Sequence, residues 1–259
     1  MKHFITIFLS VCTLFASSSK KDFNNPFIKV AKEQKNSIVT VISEKVVRNE
    51  MADIPDFFKP FEPWGFGFEL PFDIPQERRG KGLGSGVIID ATKGYILTNN
   101  HVIDNADKIK VMFHNKEEAE AILVGTDPLS DIAIIKVDQK QLRESKMGDS
   151  DKLEVGEWVI AIGSPFAINL SSTVTAGIVS AVGRSDVISK MNYEDFIQHD
   201  AAINPGNSGG GLFDLDGKLI GINTAIATDG MSRGNAGIGF AIPINQVKRV
   251  MDDLIEIGK

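Results

Sequence analysis

Hydrophobic positions downstream of the N-terminal region fall in many short runs rather than in long helical stripes. Runs such as SIVTVISEKVV, KIKVMFH, EWVIAIG and KLIGINTAI are rich in Val, Ile and Thr, and Gly, Asp and Asn turns such as Asp214 to Gly217 separate them. Short β-type runs at this spacing predict antiparallel strands in a sandwich or in barrels. We therefore expect an all-β fold.

The segment from 49 to 82 interrupts this pattern. It carries half of the chain's 10 prolines and is dense in aromatic residues between Phe57 and Phe72. The prolines exclude a continuous strand or helix there. A loop of this length is usually functional or mobile. We expect an aromatic loop that contacts a partner subunit or an apolar stretch of substrate.

The last sixteen residues, INQVKRVMDDLIEIGK, show helical spacing instead. Val247, Val250, Met251, Leu254 and Ile255 recur on one face. Asn245 is the expected N-cap of this helix and Gly258 its expected end. The pattern predicts a C-terminal helix whose apolar stripe packs on a barrel.

The N-terminus, MKHFITIFLSVCTLFASSSKK, has the organisation of a secretory signal. A short polar start precedes an apolar stretch from Phe4 to Phe15, and Ala16 with three serines forms a small-residue cleavage region. The apolar stretch is too short for a membrane-spanning helix, although an uncleaved anchor is the alternative. We expect a signal peptide over residues 1–19, export to the periplasm or beyond, and no stable membrane span after cleavage.

Composition excludes several classes of function. A formal net charge of -6 and the lack of a long basic run argue against nucleic acid as a partner. Cys12, inside the apolar stretch of the signal, is the only cysteine. A processed chain therefore has no disulfide, no thiolate nucleophile and no cysteine-ligated metal. No metal signature of the H-E-x-x-H type is present, and we expect neither a metal nor an organic cofactor.

The most unusual stretch is DAAINPGNSGG, in which glycines and asparagines surround Ser208. Such residues are ordinary turn formers, but they also let a backbone approach another molecule closely. The letters G-N-S-G-G fit the elbow of α/β-hydrolases as well. That fold requires a histidine after the serine, whereas the last histidine of this chain is His199. The α/β-hydrolase interpretation therefore fails.

A second glycine-rich stretch, GKGLGSG, resembles a nucleotide-binding loop only superficially. It runs into the strand-like VIID and not into a helix N-terminus, so the geometry that binds phosphate is missing. We interpret these residues as closely packed strand glycines.

A serine nucleophile needs a base, and only four histidines are available. His3 leaves with the signal, and His114 is expected on the surface beside a charged turn. His199 is next to Asp200, but neighbours in a strand point to opposite faces, and it precedes Ser208 by few residues. His101, where a strand gives way to a turn or short helix, is the preferred base.

Asp127 and Asp131 are the candidates for the carboxylate that orients the base. Asp127 precedes Pro128 and suits a turn. Asp131 opens the apolar run IAIIKV and should be partly buried at a strand edge, where an imidazole N–H can pair with it. Asp131 is the preferred acid.

Taken together, LTNNHVI, DPLSDIAIIKV and DAAINPGNSGG resemble the chymotrypsin-type serine proteases, and among these the HtrA (Deg) family of exported quality-control proteases. The stretches GLGSGVIID, VGEWVIAIGSPF, TVTAGIVSAVGR and GIGFAIPIN are similar to that family too, so the resemblance extends from about Ile28 to the C-terminal helix. It implies two six-stranded antiparallel barrels with the active site between them. Residues 20–147 would form the barrel carrying His101 and Asp131, and residues 148–259 the barrel carrying Ser208. PDZ domains, usual in the family, are not expected in this chain.

The resemblance also implies further site residues. The backbone amides of Gly206 and Ser208 would form the oxyanion hole. An apolar pocket suited to small or medium aliphatic residues would involve Ala202, Ile203 and Asn207 together with the segment Thr224, Ala225, Ile226 and Ala227. Asn207 cannot make the ion pair that activates chymotrypsin-like zymogens, so activation by loop ordering is expected.

The predicted function is a Ser-His-Asp endopeptidase that degrades unfolded exported proteins, with chaperone activity beside it. The resemblance implies a homotrimer or multiples of trimers, with Phe23 and Phe27 as candidate contacts. The alternative is a catalytically weak protease fold that binds unfolded polypeptides as a chaperone or scaffold.

Overall fold

The strands of this protein form two closed six-stranded antiparallel barrels. The computed structural model describes residues 25–48, 77–165, 171–185, 187, 194–226 and 237–258. The first barrel is built, in the spatial order β1-β2-β3-β6-β5-β4, from β1 (Ile38–Arg48), β2 (Glu77–Asp90), β3 (Tyr95–Asn99), β4 (Lys108–Met112), β5 (Glu118–Asp127) and β6 (Ile132–Val137). The predicted signal peptide lies outside the described residues.

The second barrel repeats the topology of the first. Its order is β7-β8-β9-β12-β11-β10, with β7 (Trp158–Gly163), β8 (Thr173–Arg184), β9 (Phe196–His199), β10 (Gly211–Phe213), β11 (Leu219–Ile226) and β12 (Gly239–Pro243). The helices are α1 (Asn25–Gln34), α2 (Asn100–Ile103) and α3 (Ile244–Glu256). Two barrels and a C-terminal helix confirm the predicted fold class. The predicted domain boundary at residues 147/148 falls in the connection between β6 and β7.

Several apolar strands contribute side chains both to the interior of their own barrel and to a cluster between the barrels. In β6, Ala133 and Ile135 face the interior of the first barrel, whereas Ile132 and Ile134 belong to a cluster between the barrels. The β7 strand does the same for the second barrel, since Ile160 joins the cluster between the barrels. Successive side chains of a strand point to opposite faces, so strands in contact with both cores are apolar at nearly every position. The cluster between the barrels fixes their relative placement and hence that of the site.

The hairpin of β1 and β2 is longer than the sequence suggested. The loop was expected to run from 49 to 82, but β2 begins at Glu77 and pairs with β1 continuously from Arg48↔Glu77 to Ile38↔Val87. That boundary of the aromatic loop is therefore wrong. An ion pair stabilises this part of the hairpin. Lys81 stands opposite Glu44, and its Nζ lies 3.7 Å from Glu44 Oε1. Residues 49–76 of the loop lie outside the described residues.

The C-terminal helix packs on the barrels as predicted. Ile244, Val247 and Leu254 of α3 are buried in the cluster between the barrels. Asn245 is not its N-cap: Pro243 holds that position, and Asn245 Nδ2 donates to Asp149 Oδ1 at 2.7 Å. Gly258, with φ of 81°, follows the C-cap, as expected for a glycine that ends a helix. Within the described part of the chain, no helix combines the length and apolarity needed to cross a bilayer.

Candidate active site

His101 and Asp131 are joined at two points. The His101 Nδ1 atom lies 2.8 Å from Asp131 Oδ2, and the His101 backbone amide donates to Asp131 Oδ1 at 3.0 Å. Both side chains are mostly enclosed, with 18% and 21% of their surfaces exposed. His101 thus contacts both carboxylate oxygens of Asp131. Because a carboxylate accepts hydrogen bonds, Nδ1 is the ring nitrogen that carries the proton and Nε2 is the basic one.

Two asparagines before His101 hold the backbone of Asp131. The Asp131 carbonyl accepts hydrogen bonds from Asn99 Nδ2 at 3.0 Å and from the Asn100 amide at 3.1 Å. Asp131 has φ of 56°, in the left-handed region that Asp tolerates better than most residues. The sequence analysis missed these roles of Asn99 and Asn100, although the repeated Asn before His101 was their visible signal.

The other candidate carboxylate, Asp127, forms hydrogen bonds within the turn between β5 and β6. Its Oδ1 accepts from the Leu129 amide at 3.0 Å, and its Oδ2 accepts from Ser130 Oγ at 2.6 Å. These bonds stabilise the turn that places Asp131 beside His101. The structure thus brings Asp131, and not Asp127, to the imidazole.

Two consecutive turns form the backbone around Ser208, which is the second residue of the second turn. The Asn207 amide donates to Asn204 O at 2.9 Å, and the Gly210 amide donates to Asn207 O at 2.9 Å. Gly206 and Gly209, with φ of 99° and 83°, hold the third position of each turn. A positive φ at that position is the type II pattern and favours glycine, and Pro205 suits the second position. The unusual composition around Ser208 thus follows from two tight turns.

The amides of Gly206 and Ser208 are the two donors proposed from the sequence for an oxyanion hole. Within the described residues, neither amide has an acceptor, whereas those of Asn207, Gly209 and Gly210 all donate to carbonyls. Gly206 is buried and Ser208 partly so. Because buried amides are nearly always paired, two neighbouring amides without an acceptor suit the binding of an oxygen atom supplied by a ligand.

Thr224 connects the acid to the serine. Its hydroxyl donates to Asp131 Oδ2 at 2.8 Å, and its carbonyl accepts from Ser208 Oγ at 3.1 Å. Thr224 lies in β11 of the second barrel and is only 4% exposed. From the sequence it was expected in the substrate pocket, and its bond to the acid was not foreseen. Asp131 therefore contacts both barrels.

The remaining predicted pocket residues occupy varied environments. Ala202 is exposed, and its carbonyl accepts from Thr175 Oγ1 at 2.8 Å, whereas Ile203 is buried. Asn207 is 5% exposed, and its Oδ1 has no partner among the described residues. Ala225 and Ile226 belong to β11, and Ala227 lies outside the described residues.

The other histidines do not join this arrangement. His199 is fully buried in β9, and neither ring nitrogen has a hydrogen-bond partner among the described residues. Burial lowers its pKa to about 4, against weaker opposing effects of Asn223 and Asp200. His114 lies 3.3 Å by its Nδ1 from Ser172 Oγ, and burial lowers its pKa as well. Of the histidines that the structure describes, His101 is the one paired with a carboxylate.

Comparison with known proteins identifies the family of this chain. The family described as the trypsin-like peptidase domain matches residues 84–222, which include His101, Asp131 and Ser208. The periplasmic serine endoprotease DegP of Escherichia coli K12 is 56% identical over 186 residues, covering 71% of this chain and 38% of that protein. A probable periplasmic serine protease of Haemophilus influenzae, described as do/HhoA-like, is 52% identical over 210 residues, covering 81% of this chain and 44% of its own length.

Solved structures lead to the same group of proteins. The HtrA-type protease AlgW, solved with a decapeptide, matches with a TM-score of 0.71 and 41% identity, covering 88% of this chain and 67% of that one. The chain spans less than half the length of the DegP and HhoA-like relatives. This chain belongs to the trypsin-like peptidase family, among its HtrA-type members.

Proposed function

We propose that this chain is a serine endopeptidase in which Ser208 is the nucleophile, His101 the general base and Asp131 the orienting acid. In the first step Ser208 Oγ attacks the carbonyl carbon of a peptide bond and its proton passes to His101 Nε2. The imidazolium then gives that proton to the leaving amine, and an acyl-enzyme remains on Ser208. Water attacks the acyl group by the same route and releases the second product.

The observation that carries this proposal is the chain of contacts from His101 to Ser208. His101 binds Asp131 at two points, Thr224 binds the same carboxylate, and Thr224 accepts the hydrogen bond of the serine hydroxyl. An acid held this way keeps one imidazole tautomer and stabilises the imidazolium that forms during the reaction. These contacts bring residues of both barrels into one site, which supports the proposal.

The amides of Gly206 and Ser208 are the proposed oxyanion hole. They would donate to the oxygen of the tetrahedral intermediate, which carries more charge than the carbonyl of the bound substrate. Loss of one such donor typically costs about 2.7–4 kcal/mol of transition-state stabilisation. Both amides lack an acceptor among the described residues, and this supports the role.

The proposed specificity is for small or medium aliphatic residues before the cleaved bond. Ala202 is exposed and uncharged, which supports an apolar preference, whereas Ile203 is 3% exposed and packs in the core of the second barrel. Discrimination among Val, Ala, Leu and Ile should be loose, since one methylene is worth about 1–3 kcal/mol in an apolar pocket. Loop ordering, and not a freed N-terminal amine, is the proposed activation step, because Asn207 has no charge to pair with an ammonium group.

The proposed substrates are unfolded polypeptides in the periplasm, and the proposed assembly is a homotrimer. The names of the bacterial relatives place those proteins in the periplasm. Phe27 packs edge-on against Trp158, with ring centroids 5.4 Å apart, and Trp158 remains 42% exposed. This aromatic pair is a suitable contact between subunits. Phe23, the other residue expected in such a contact, lies outside the described residues.

Casein cleavage by the purified protein and by its Ser208→Ala variant tests the proposal. The expected result is release of peptides by the parent protein and none by the variant, with equal melting temperatures showing that both are folded. Equal turnover by the two proteins would remove Ser208 from the mechanism. Suppression of casein aggregation without turnover in either protein would favour the chaperone or scaffold alternative.

A further inference from the structure

Ser85 brings a buried hydroxyl from the first barrel to the turn that contains Gly206. Ser85 lies in β2 and has no exposed surface. Its Oγ donates to the Gly206 carbonyl at 2.7 Å and accepts from the Ser164 amide at 2.8 Å. The Ser85 hydroxyl therefore donates its single hydrogen bond to the Gly206 carbonyl and accepts one from the Ser164 amide.

The backbone of Ser85 holds the nucleophile as well. The Ser85 amide donates to the Ser208 carbonyl at 2.7 Å. The Ser85 carbonyl accepts from Thr98 Oγ1 at 2.7 Å, and a Cβ on Gly209 would collide with that same carbonyl. Ser85 thus holds two carbonyls of the turn region, those of Gly206 and Ser208, and no room remains for a side chain at position 209.

These contacts involve the two residues whose amides are proposed for the oxyanion hole. Within one residue the amide and the carbonyl are separated by only two rotatable bonds, because peptide groups are planar. Fixing the carbonyls of Gly206 and Ser208 therefore restricts the directions in which their amides point. Gly206 depends on this most, since glycine without such a contact has wide conformational freedom.

The glycines beside Ser85 permit this approach. A Cβ on Gly84 would collide with Val102 and would lie 3.2 Å from the Ser208 carbonyl. The stretch GKGLGSG therefore has a role in the site that is unrelated to phosphate. Its lack of side chains lets β2 lie against the turn, and Ser85 supplies the polar contact.

We propose that Ser85 is a positioning residue for the oxyanion hole, holding the carbonyls of Gly206 and Ser208 so that their amides converge on the reacting oxygen. This inference rests on the proposed peptidase function. It assigns to Ser85 an effect on the transition state rather than on substrate binding, because Ser85 binds the carbonyls of the two residues that carry the donors and not the donors themselves.

Steady-state kinetics of a Ser85→Ala variant, with a peptide carrying valine before the cleaved bond, test this role. The expected result is a fall in kcat of about tenfold to hundredfold, with KM changed by less than about threefold. Affinity for a peptide boronic acid, which forms a tetrahedral adduct on a serine, should fall by a similar factor. Binding of the matching uncleaved peptide to a Ser208→Ala background should be unchanged by the Ser85 substitution.

Thr40→Val is the matched control. Thr40 is 1% exposed and donates to Ser164 Oγ at 2.8 Å, so this change also removes a buried hydroxyl between the barrels without touching Gly206. We expect it to lower the melting temperature while kcat stays within about threefold. If both variants lose the same kcat, Ser85 merely joins the barrels and the proposal is overturned.

Two further outcomes separate the proposals from each other. Ser208-dependent hydrolysis that is unaffected by Ser85→Ala overturns the positioning role alone. Absence of Ser208-dependent hydrolysis in the parent protein overturns the peptidase function and the positioning role with it. Should Ser85→Ala fail to fold, Ser85→Cys retains a similar volume and a weak donor, and a fall in kcat at unchanged KM is expected of it too.

Discussion

His199 and His101 differ in how each relates to a nearby aspartate. His199 is followed directly by Asp200, yet its ring is buried with no hydrogen-bond partner among the described residues. His101 is 30 residues from Asp131 along the chain, yet its Nδ1 lies 2.8 Å from that carboxylate. Adjacency along the chain therefore does not identify the carboxylate that pairs with a histidine. The observed pair joins α2, which contains His101, to the turn before β6, which contains Asp131.

The two environments also differ in charge. The His199 ring is surrounded by the core of the second barrel, which keeps the pKa at about 4 and the imidazole neutral. The His101 ring is partly exposed, and its Nδ1 lies 2.8 Å from the Asp131 carboxylate. The proposed base is thus the histidine whose ring contacts a carboxylate. The comparison leads to four predictions, ordered by the size of the expected effect.

Replacing each histidine should separate the two most clearly. His101→Ala is expected to lower kcat/KM on a peptide substrate by about ten-thousandfold or more, because the serine loses its base. His199→Leu fills a similar buried volume and should leave kcat/KM within about tenfold. Steady-state kinetics on both variants provide the measurement. A comparable loss in the two variants would contradict the assignment of His101.

Acid should weaken the fold through His199. Its pKa is about 4 in the folded chain against 6.5 as the ordinary value, so the unfolded chain binds the proton first as pH falls. The stability due to the neutral buried ring is therefore complete above pH 6.5 and is lost as pH falls towards 4. The loss amounts to roughly 3 kcal/mol of unfolding free energy.

Urea unfolding of the parent protein and of His199→Leu between pH 7.5 and 4.5 measures this effect. The difference in unfolding free energy between the two proteins should shift in favour of the variant as pH falls. His114, whose pKa burial also lowers, is present in both proteins and drops out of the difference. A difference that does not change with pH would mean that His199 has the same pKa in the folded and the unfolded chain, and it would contradict this prediction.

Removing the Thr224 hydroxyl should reduce catalysis without abolishing it. Thr224→Val deletes the donor that lies 2.8 Å from Asp131 Oδ2, and hydrogen bonds to charged groups are worth about 1.5–3 kcal/mol. The expected result is a fall in kcat of about tenfold to hundredfold. Thr224→Ser keeps the hydroxyl and is the control. Full activity of Thr224→Val would show that the acid keeps its position without the Thr224 hydroxyl.

Asp200→Asn should have the smallest effect. Asp200 Oδ1 accepts from the Ile178 amide at 2.6 Å, and an amide oxygen can accept the same bond. We expect kcat/KM to change by less than about twofold, whereas Asp131→Asn should lower it by about ten-thousandfold. Comparing kcat/KM of the two variants shows whether activity depends on the aspartate adjacent in sequence to a histidine or on the one in contact with a histidine. A large effect of Asp200→Asn would mean that His199 takes part in turnover.

Much of this site was predictable from the sequence because its members are chemically unusual for their positions. Ser208 stood in a glycine-rich turn, Asp131 at the start of an apolar strand, and His101 at the end of one. Antiparallel strands and the C-terminal helix followed from periodicity. Asn245 was wrongly expected as the helix cap, because its side chain binds Asp149 in a distant connection instead.

The supporting contacts were not predictable. Thr224 and Asp131 are 93 residues apart, and Ser85 and Gly206 are 121 residues apart. Ser and Thr in a strand show nothing in their local pattern about which residue on the other barrel receives their proton. These bonds depend on how the two barrels dock through the shared apolar cluster, and the docking is a property of the whole fold.

Labelling with a fluorophosphonate tests the central claim most directly, since such reagents form a covalent bond with an activated serine hydroxyl. Mass spectrometry of the digested protein should find a single adduct, on the peptide that contains Ser208. The rate of labelling should collapse in His101→Ala and remain close to the parent rate in His199→Leu. An adduct on another residue, or equal labelling rates in the parent protein and His101→Ala, would contradict the account.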